Sequence, residues 1–189
     1  MTAPRHDTPA TVVETRRVHT GRVITVDVET VRMADDSTST LDVVRHPGAS
    51  AVVPFLGDPS GDDPSILLLY QYRHAAGTWL LEIPAGRFDP GESPEQCARR
   101  ELLEEAGCTA GTMERMTTIH TTPGFSDERI HLFMATGLTH GNSRHEADEF
   151  IEPTVMTLSA ALKSIESGEI SDAKTALAIL FAAGFRARR

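Results

Sequence analysis

The chain has 189 residues, of which 40% are hydrophobic and 24% charged, and a formal net charge of −9. That is ordinary globular composition, with enough chain for one domain and a sizeable core. The acidic balance argues against nucleic acid or an anionic membrane as partner, since both call for a basic patch, and no apolar run approaches the ~20 residues of a membrane span.

Residues 1–10 are polar and contain Pro4 and Pro9, which predicts a disordered tail. They lack the hydrophobic segment of a signal peptide. From Thr11 to Arg45 the texture is that of β-structure. Val23 to Val31 is rich in β-branched residues, Asp35-Asp36-Ser37 reads as a hairpin turn, and Thr40 to Arg45 as the return strand. His46-Pro47-Gly48 closes this small sheet, giving an N-terminal subdomain over 11–47 and a main domain over 48–189. In the main domain, Ala51–Leu56, Ile66–Arg73 and Trp79–Ile83 read as strands, with a Gly/Asp/Pro/Ser loop over 57–65. After an acidic helix, Thr112–Thr121 and Arg129–Thr136 are predicted strands, followed by a strand over Ile151–Leu158. Helices over Ser159–Ser167 and Asp172 to about Ala183 end the chain. Strands on both sides of a central helix, with helices at the end, imply an α+β fold or a mixed α/β sandwich. Cys97 and Cys108 form no disulfide framework or zinc motif, which fits a reducing cytoplasm. The eight histidines lack metal spacing and read as surface or turn residues.

The most informative stretch is Gly86 to Cys108. Ser93, Pro94 and Gln96 form a helix start: N-cap, proline at the first helical position and capping-box partner. Gly107 stands where a helix ends in a left-handed residue. Between them Glu101, Glu104 and Glu105 lie three and four residues apart, on one helical face by spacing. Like charges there repel by roughly 0.2–0.5 kcal/mol per pair, and they sit toward the end of the helix whose dipole disfavours anions. A cation in their midst resolves both conflicts, and oxygen ligands suit Mg2+, with Mn2+ as a substitute.

The same stretch resembles the Nudix hydrolase box, with Gly86, Glu92, Arg100-Glu101, Leu102, Glu104-Glu105 and Gly107 at every required spacing. Cys108 is its one departure, at a position usually aliphatic. Gln71-Tyr72-Arg73-His74, Trp79 to Gly86, Thr122 to Glu128 and Gly168 to Thr175 are similar to the ADP-ribose pyrophosphatases of that family. The resemblance implies a Nudix fold, an α+β fold in which a mixed sheet is clamped between helices as an α/β/α sandwich, with a small N-terminal antiparallel sheet. It implies metal-dependent hydrolysis of ADP-ribose to AMP and ribose 5-phosphate. The alternatives are another nucleoside-diphosphate sugar as substrate, or a non-catalytic nucleotide-binding regulatory module.

By the same resemblance, Glu101, Glu105, Glu104 and the carbonyl of Ala85 are the metal ligands, with Glu92 as a possible addition. Arg100 ties loop to helix. Arg73, the backbone around Arg87, Pro123, Gly124 and Glu128 are expected to contact substrate. Glu105 and Glu146 are the expected catalytic residues, Glu146 as general base with Glu149 as the alternative. A homodimer paired through residues 11–45 is also implied.

Overall fold

A computed structural model describes residues 9–141 and 151–186. The chain divides into two compact units, Met1–Pro47 with His120–Arg129, and Gly48–Ile119 with Ile130–Arg189.

The first unit is built on a three-stranded antiparallel sheet, β1 (Ala10–Thr20), β2 (Thr25–Met33) and β3 (Thr38–Arg45), in that order. The turn expected at Asp35-Asp36-Ser37 forms as the residue types dictate. Asp35 Oδ1 accepts from the Ser37 N–H at 3.0 Å and from its hydroxyl at 2.6 Å, and Asp36 takes a left-handed φ of 61°. Carboxylates on β2 are buried here, at 3% exposure for Asp27 and 8% for Glu29. Each therefore has a cation partner: Arg17 grips Asp27 at 2.7 and 3.0 Å, and Arg45 reaches Glu29 and Asp27. Arg45 also bonds Asp127 at 3.1 Å, and Asp127 accepts the His46 N–H at 2.8 Å. These contacts, with a bridge between Val44 and Ser126, attach the segment His120–Arg129 to β3.

The larger unit holds a seven-stranded mixed sheet: β4 (Ala49–Leu56), β5 (Ser65–Arg73), β6 (Thr78–Glu82), β7 (Ala85–Arg87), β8 (Cys108–His120), β9 (Arg129–His140) and β10 (Ile151–Thr157). The main path runs β10-β5-β4-β9-β8, with β6 on β5 and β7 on β4. β4 and β9 are parallel, Ala49 opposite Ile130. β4 is buried along almost its whole length, as a strand covered on both faces must be. Its alternate residues go to opposite sides. Ala51, Val53 and Phe55 pack with Ile66, Leu68 and Leu132 against α2 (Leu158–Ser167) and α3 (Ala173–Arg186). Val52 packs with Leu67, Leu69 and Phe133 against α1 (Pro94–Ala106). The period-two alternation of the strands thus builds two cores, and the mixed α/β/α sandwich expected from the sequence is the fold. Among the described residues, no helix is long and apolar enough to cross a membrane.

β7 is additional to the sequence reading, and β1 is a distinct strand within the β texture read from Thr11 onward. β8 begins at Cys108, directly after the helix, and β9 continues to His140.

Candidate active site

α1 starts and stops where its caps dictate. Ser93 Oγ accepts the Gln96 N–H, the Gln96 side chain accepts the Ser93 N–H at 2.9 Å, and Gly107 takes φ 61° with its N–H on Leu103 O. Such an N-cap is worth about 1 kcal/mol. The helix is pinned against β7 at its start. Ser50 Oγ, on the strand that pairs with β7, donates to the Pro94 carbonyl at 2.7 Å. Cys97, fully buried, donates its thiol to the carbonyls of Gly86 at 3.3 Å and Arg87 at 3.5 Å. Burial, with the nearby charges of Glu101 and Glu92, pushes the Cys97 thiol up to about 12, so it stays protonated and a donor.

That docking turns two glutamates inward onto the backbone of β7. Glu105, 3% exposed, accepts the Ala85 N–H at 2.9 Å. Glu101, 7% exposed, lies against Gly86 so closely that a β-carbon there would stand 1.7 Å from its Oε1. Glu104 is not buried with them. Its side chain is 38% exposed and pairs with Arg100 at 2.9 Å. Helix geometry explains the split: at ~100° per residue, Glu105 falls about 40° from Glu101, whereas Glu104 falls about 60° to the opposite side.

Arg100 is the hub between loop and helix. Its guanidinium donates to Glu92 at 3.0 Å twice, to Glu101 at 2.6 Å, to Glu104 at 2.9 Å and to the Arg87 carbonyl at 2.9 Å. These bonds, led by Glu92, push its pKa far up. In return Arg100 holds the Glu92 carboxyl below its ordinary range. Like charges crowded by the sequence are thus kept tolerable by one planar cation able to face several acceptors.

Arg73, at the end of β5, is held by Glu82 of the paired strand β6 through Nε at 2.8 Å and Nη2 at 2.9 Å. Its side chain nevertheless remains 39% exposed. Lys174 of α3 shares the same carboxylate. Burial opposes ionisation of Glu82, but the bond from Arg73 and the charges of Lys174 and Arg73 outweigh it and hold its pKa below the ordinary value.

The donors gathered at β7 and α1, two buried carboxylates against the backbone of Ala85 and Gly86, are hard oxygens carrying net negative charge. They fit a divalent cation of the Mg2+ type. Among the described residues, no three His, Cys, Asp or Glu side chains stand together as a metal cluster. Arg87 contributes a carbonyl to Arg100 on the same β7. The other expected substrate residues belong to the N-terminal unit. Pro123 and Gly124 lie in a turn closed by the Phe125 and Ser126 N–H groups on Thr122 O. Glu128 accepts the Thr121 hydroxyl at 2.8 Å and stands 3.4 Å from His46 Nδ1. Glu146 and Glu149 lie outside the described residues.

The description of the NUDIX domain matches residues 45–176. The chain belongs to the NUDIX family. Over 167 residues, 87% of this chain and 88% of the relative, it is 40% identical to an ADP-ribose pyrophosphatase of Bacillus subtilis (strain 168). It is 36% identical over 171 residues, covering 89% of the chain and 90% of the relative, to a methanol dehydrogenase activator of Bacillus methanolicus. A solved structure titled as an ADP compounds hydrolase superposes with a TM-score of 0.81 at 18% identity, covering 96% of each chain, and corroborates the fold. Nudix ADP-ribose pyrophosphatases generally need a divalent metal, which agrees with the donor set at β7 and α1.

In this NUDIX protein Cys97 braces the site from within the box, and Glu82, Lys174 and Thr175 are packed beside it from outside. For Glu82 one signal was present in the sequence: an acid amid the apolar strand Trp79–Ile83 needs a cation. Nothing local identified that cation as Lys174.

Proposed function

We propose that the protein hydrolyses the diphosphate bond of ADP-ribose to AMP and ribose 5-phosphate, with Mg2+ as the metal and Mn2+ able to replace it. One observation carries the reading: Glu101 and Glu105 are buried against the backbone of Ala85 and Gly86, a cradle of hard anionic oxygens of the kind a divalent cation takes. The likeness to an ADP-ribose pyrophosphatase along most of the chain supports the substrate. A bound divalent cation would neutralise phosphoryl charge and lower the pKa of a ligated water. The chain's own residues do the rest. Glu101, Glu105 and the Ala85 carbonyl hold the cation, with Glu104 as a further ligand, and Arg100 keeps the carboxylates in place. Arg73 and the backbone at Arg87 bind the diphosphate-ribose portion. Pro123, Gly124 and Glu128 are proposed substrate contacts on the resemblance alone, as is Glu146 for the base that takes a proton from the attacking water.

The enzyme is a homodimer in this reading. β1 is an edge strand exposed along nearly its whole length, Val12, Val13 and Val18 included, and a second copy would cover it. Cytoplasmic residence is supported by two buried free cysteines.

The deciding experiment is a Mg2+-dependent hydrolysis panel of ADP-ribose, other sugar nucleotides, dinucleotides and oxidised nucleotides, with products identified. ADP-ribose should give the highest kcat/KM, with AMP among the products. Preference for an oxidised deoxynucleoside triphosphate would overturn the substrate, and binding without turnover would overturn the enzyme.

A further inference from the structure

Lys174 and Thr175 stand on the first turn of α3, yet they hold two consecutive residues of the segment leading into the oxygen cradle. Lys174 Nζ pairs with Glu82 and, at 3.0 Å, with Asp172. The hydroxyl of Thr175, fully buried, accepts the Ile83 N–H at 3.0 Å. Asp172 fixes this turn by accepting the Thr175 N–H at 2.9 Å. The chain runs on from Ile83 through Pro84, whose ring fixes φ and whose carbonyl is tied to the Val52 N–H at 2.9 Å. Ala85 follows, with its N–H on Glu105. The three residues Ile83, Pro84 and Ala85 are thus tied in turn to Thr175, Val52 and Glu105, with no free loop among them.

The charges tell a parallel story. Glu82 offers both carboxylate oxygens to Arg73, and Asp172 adds a second negative charge to the cluster. Without Lys174, Arg73 would face two carboxylates as the sole cation of this group of four, and its attraction for an incoming anion would be largely cancelled.

We propose that Lys174 and Thr175 are positioning residues: Thr175 sets the Ile83–Ala85 backbone that presents the metal-binding carbonyl, and Lys174 balances Glu82 and Asp172 so that Arg73 keeps charge for the diphosphate. This rests on the metal and substrate reading above, and extends it to a turn about ninety residues away in sequence from the strand it holds.

The test uses binding, without turnover. Thr175→Val removes the acceptor while keeping the shape, and Thr175→Ser restores it. Mn2+ titration of the protein, followed by electron paramagnetic resonance, should show an affinity loss of about tenfold or more in Thr175→Val, the usual effect of losing an outer-sphere partner, and recovery in Thr175→Ser. Lys174→Met should leave Mn2+ affinity near wild type but weaken calorimetric binding of ADP-ribose in the absence of metal. That loss should be larger at low ionic strength, and Lys174→Arg should restore binding. If Thr175→Val fails to fold, the two Lys174 variants decide. Wild-type affinities in folded Thr175→Val and Lys174→Met, or losses that neither conservative replacement repairs, would overturn the proposal. A wild-type protein that binds Mn2+ but turns over a different sugar nucleotide would correct the substrate alone. One that binds no Mn2+ would remove the metal reading and this inference with it.

Discussion

The carboxylate of Glu101 occupies the space a side chain on Gly86 would need, its Oε1 lying 1.7 Å from the ideal β-carbon position. Glycine is required at this point for room, whatever its backbone freedom. The contact also fixes where the carboxylate can be, since one side of it is walled by the backbone of β7.

Gly86→Ala should therefore expel the Glu101 carboxylate from its place. The clash is with the end of a side chain, so the fold should survive with the ~1–3 kcal/mol loss typical of overpacking. Mn2+ affinity and turnover should fall far more than stability does. A variant with wild-type metal affinity, measured beside its urea midpoint, would show that Glu101 is not a ligand.

Glu105 accepts the Ala85 N–H and is proposed above to hold the cation, and two substitutions divide these roles. Glu105→Gln keeps an oxygen to accept the Ala85 N–H but loses the charge. It should fold like the wild type, with turnover down by orders of magnitude. Glu105→Ala also orphans the Ala85 N–H and should cost a further ~1–3 kcal/mol. Equal stability of the two variants in chemical denaturation would mean the hydrogen bond contributes nothing net.

Cys97 predicts a pH dependence. Burial raises its folded-state pKa to about 12, well above that of an ordinary thiol. A group raised in this way contributes stability that is fully present below its unfolded pKa and is lost as pH rises toward the folded one. Stability should accordingly fall between pH 9 and 12 more steeply in the wild type than in Cys97→Ala. The comparison is of slopes, because Cys97→Ala also leaves a cavity and frees the Gly86 carbonyl. Parallel slopes in denaturation series across that range would refute it.

Glu146→Gln tests the base assigned from the sequence. It should lower kcat by roughly 10²–10⁴ and leave Mn2+ affinity and KM much less changed, with partial rescue at high pH as hydroxide substitutes for the missing base. A large loss in Glu149→Gln with Glu146→Gln nearly intact would move the role to Glu149. Mild effects in both would return it to the box.

What the sequence revealed follows from how local each feature is. Ser93, Pro94, Gln96 and Gly107 act within a few residues of themselves, and the helix they delimit forms between them. Strands such as β4 and β5 were readable because they are apolar and bounded by turn residues. β7 was not, because three residues carry no period and it exists only through pairing with β4. β1 was merged into a general β texture, since its exposed residues show no buried face to mark it. At the site, spacing grouped Glu104 with Glu101 and Glu105; Arg100 bonds both Glu101 and Glu104 through one nitrogen, but only Glu101 and Glu105 are buried against β7. The bonds from Lys174 to Glu82 and from Thr175 to Ile83 each span 92 residues. No local pattern encodes such a pairing, so only the fold reveals it.

The parallel pairing of β4 with β9 has a consequence for the nascent chain. β4 is complete by Leu56, but the strand that covers its far edge ends only at His140. At about 5–20 residues per second, an apolar strand with an open edge must wait several seconds on the ribosome for its neighbour. Topology of this kind slows folding and leaves a sticky intermediate. Expression yield should therefore respond to temperature and chaperone supply even where the finished enzyme is stable.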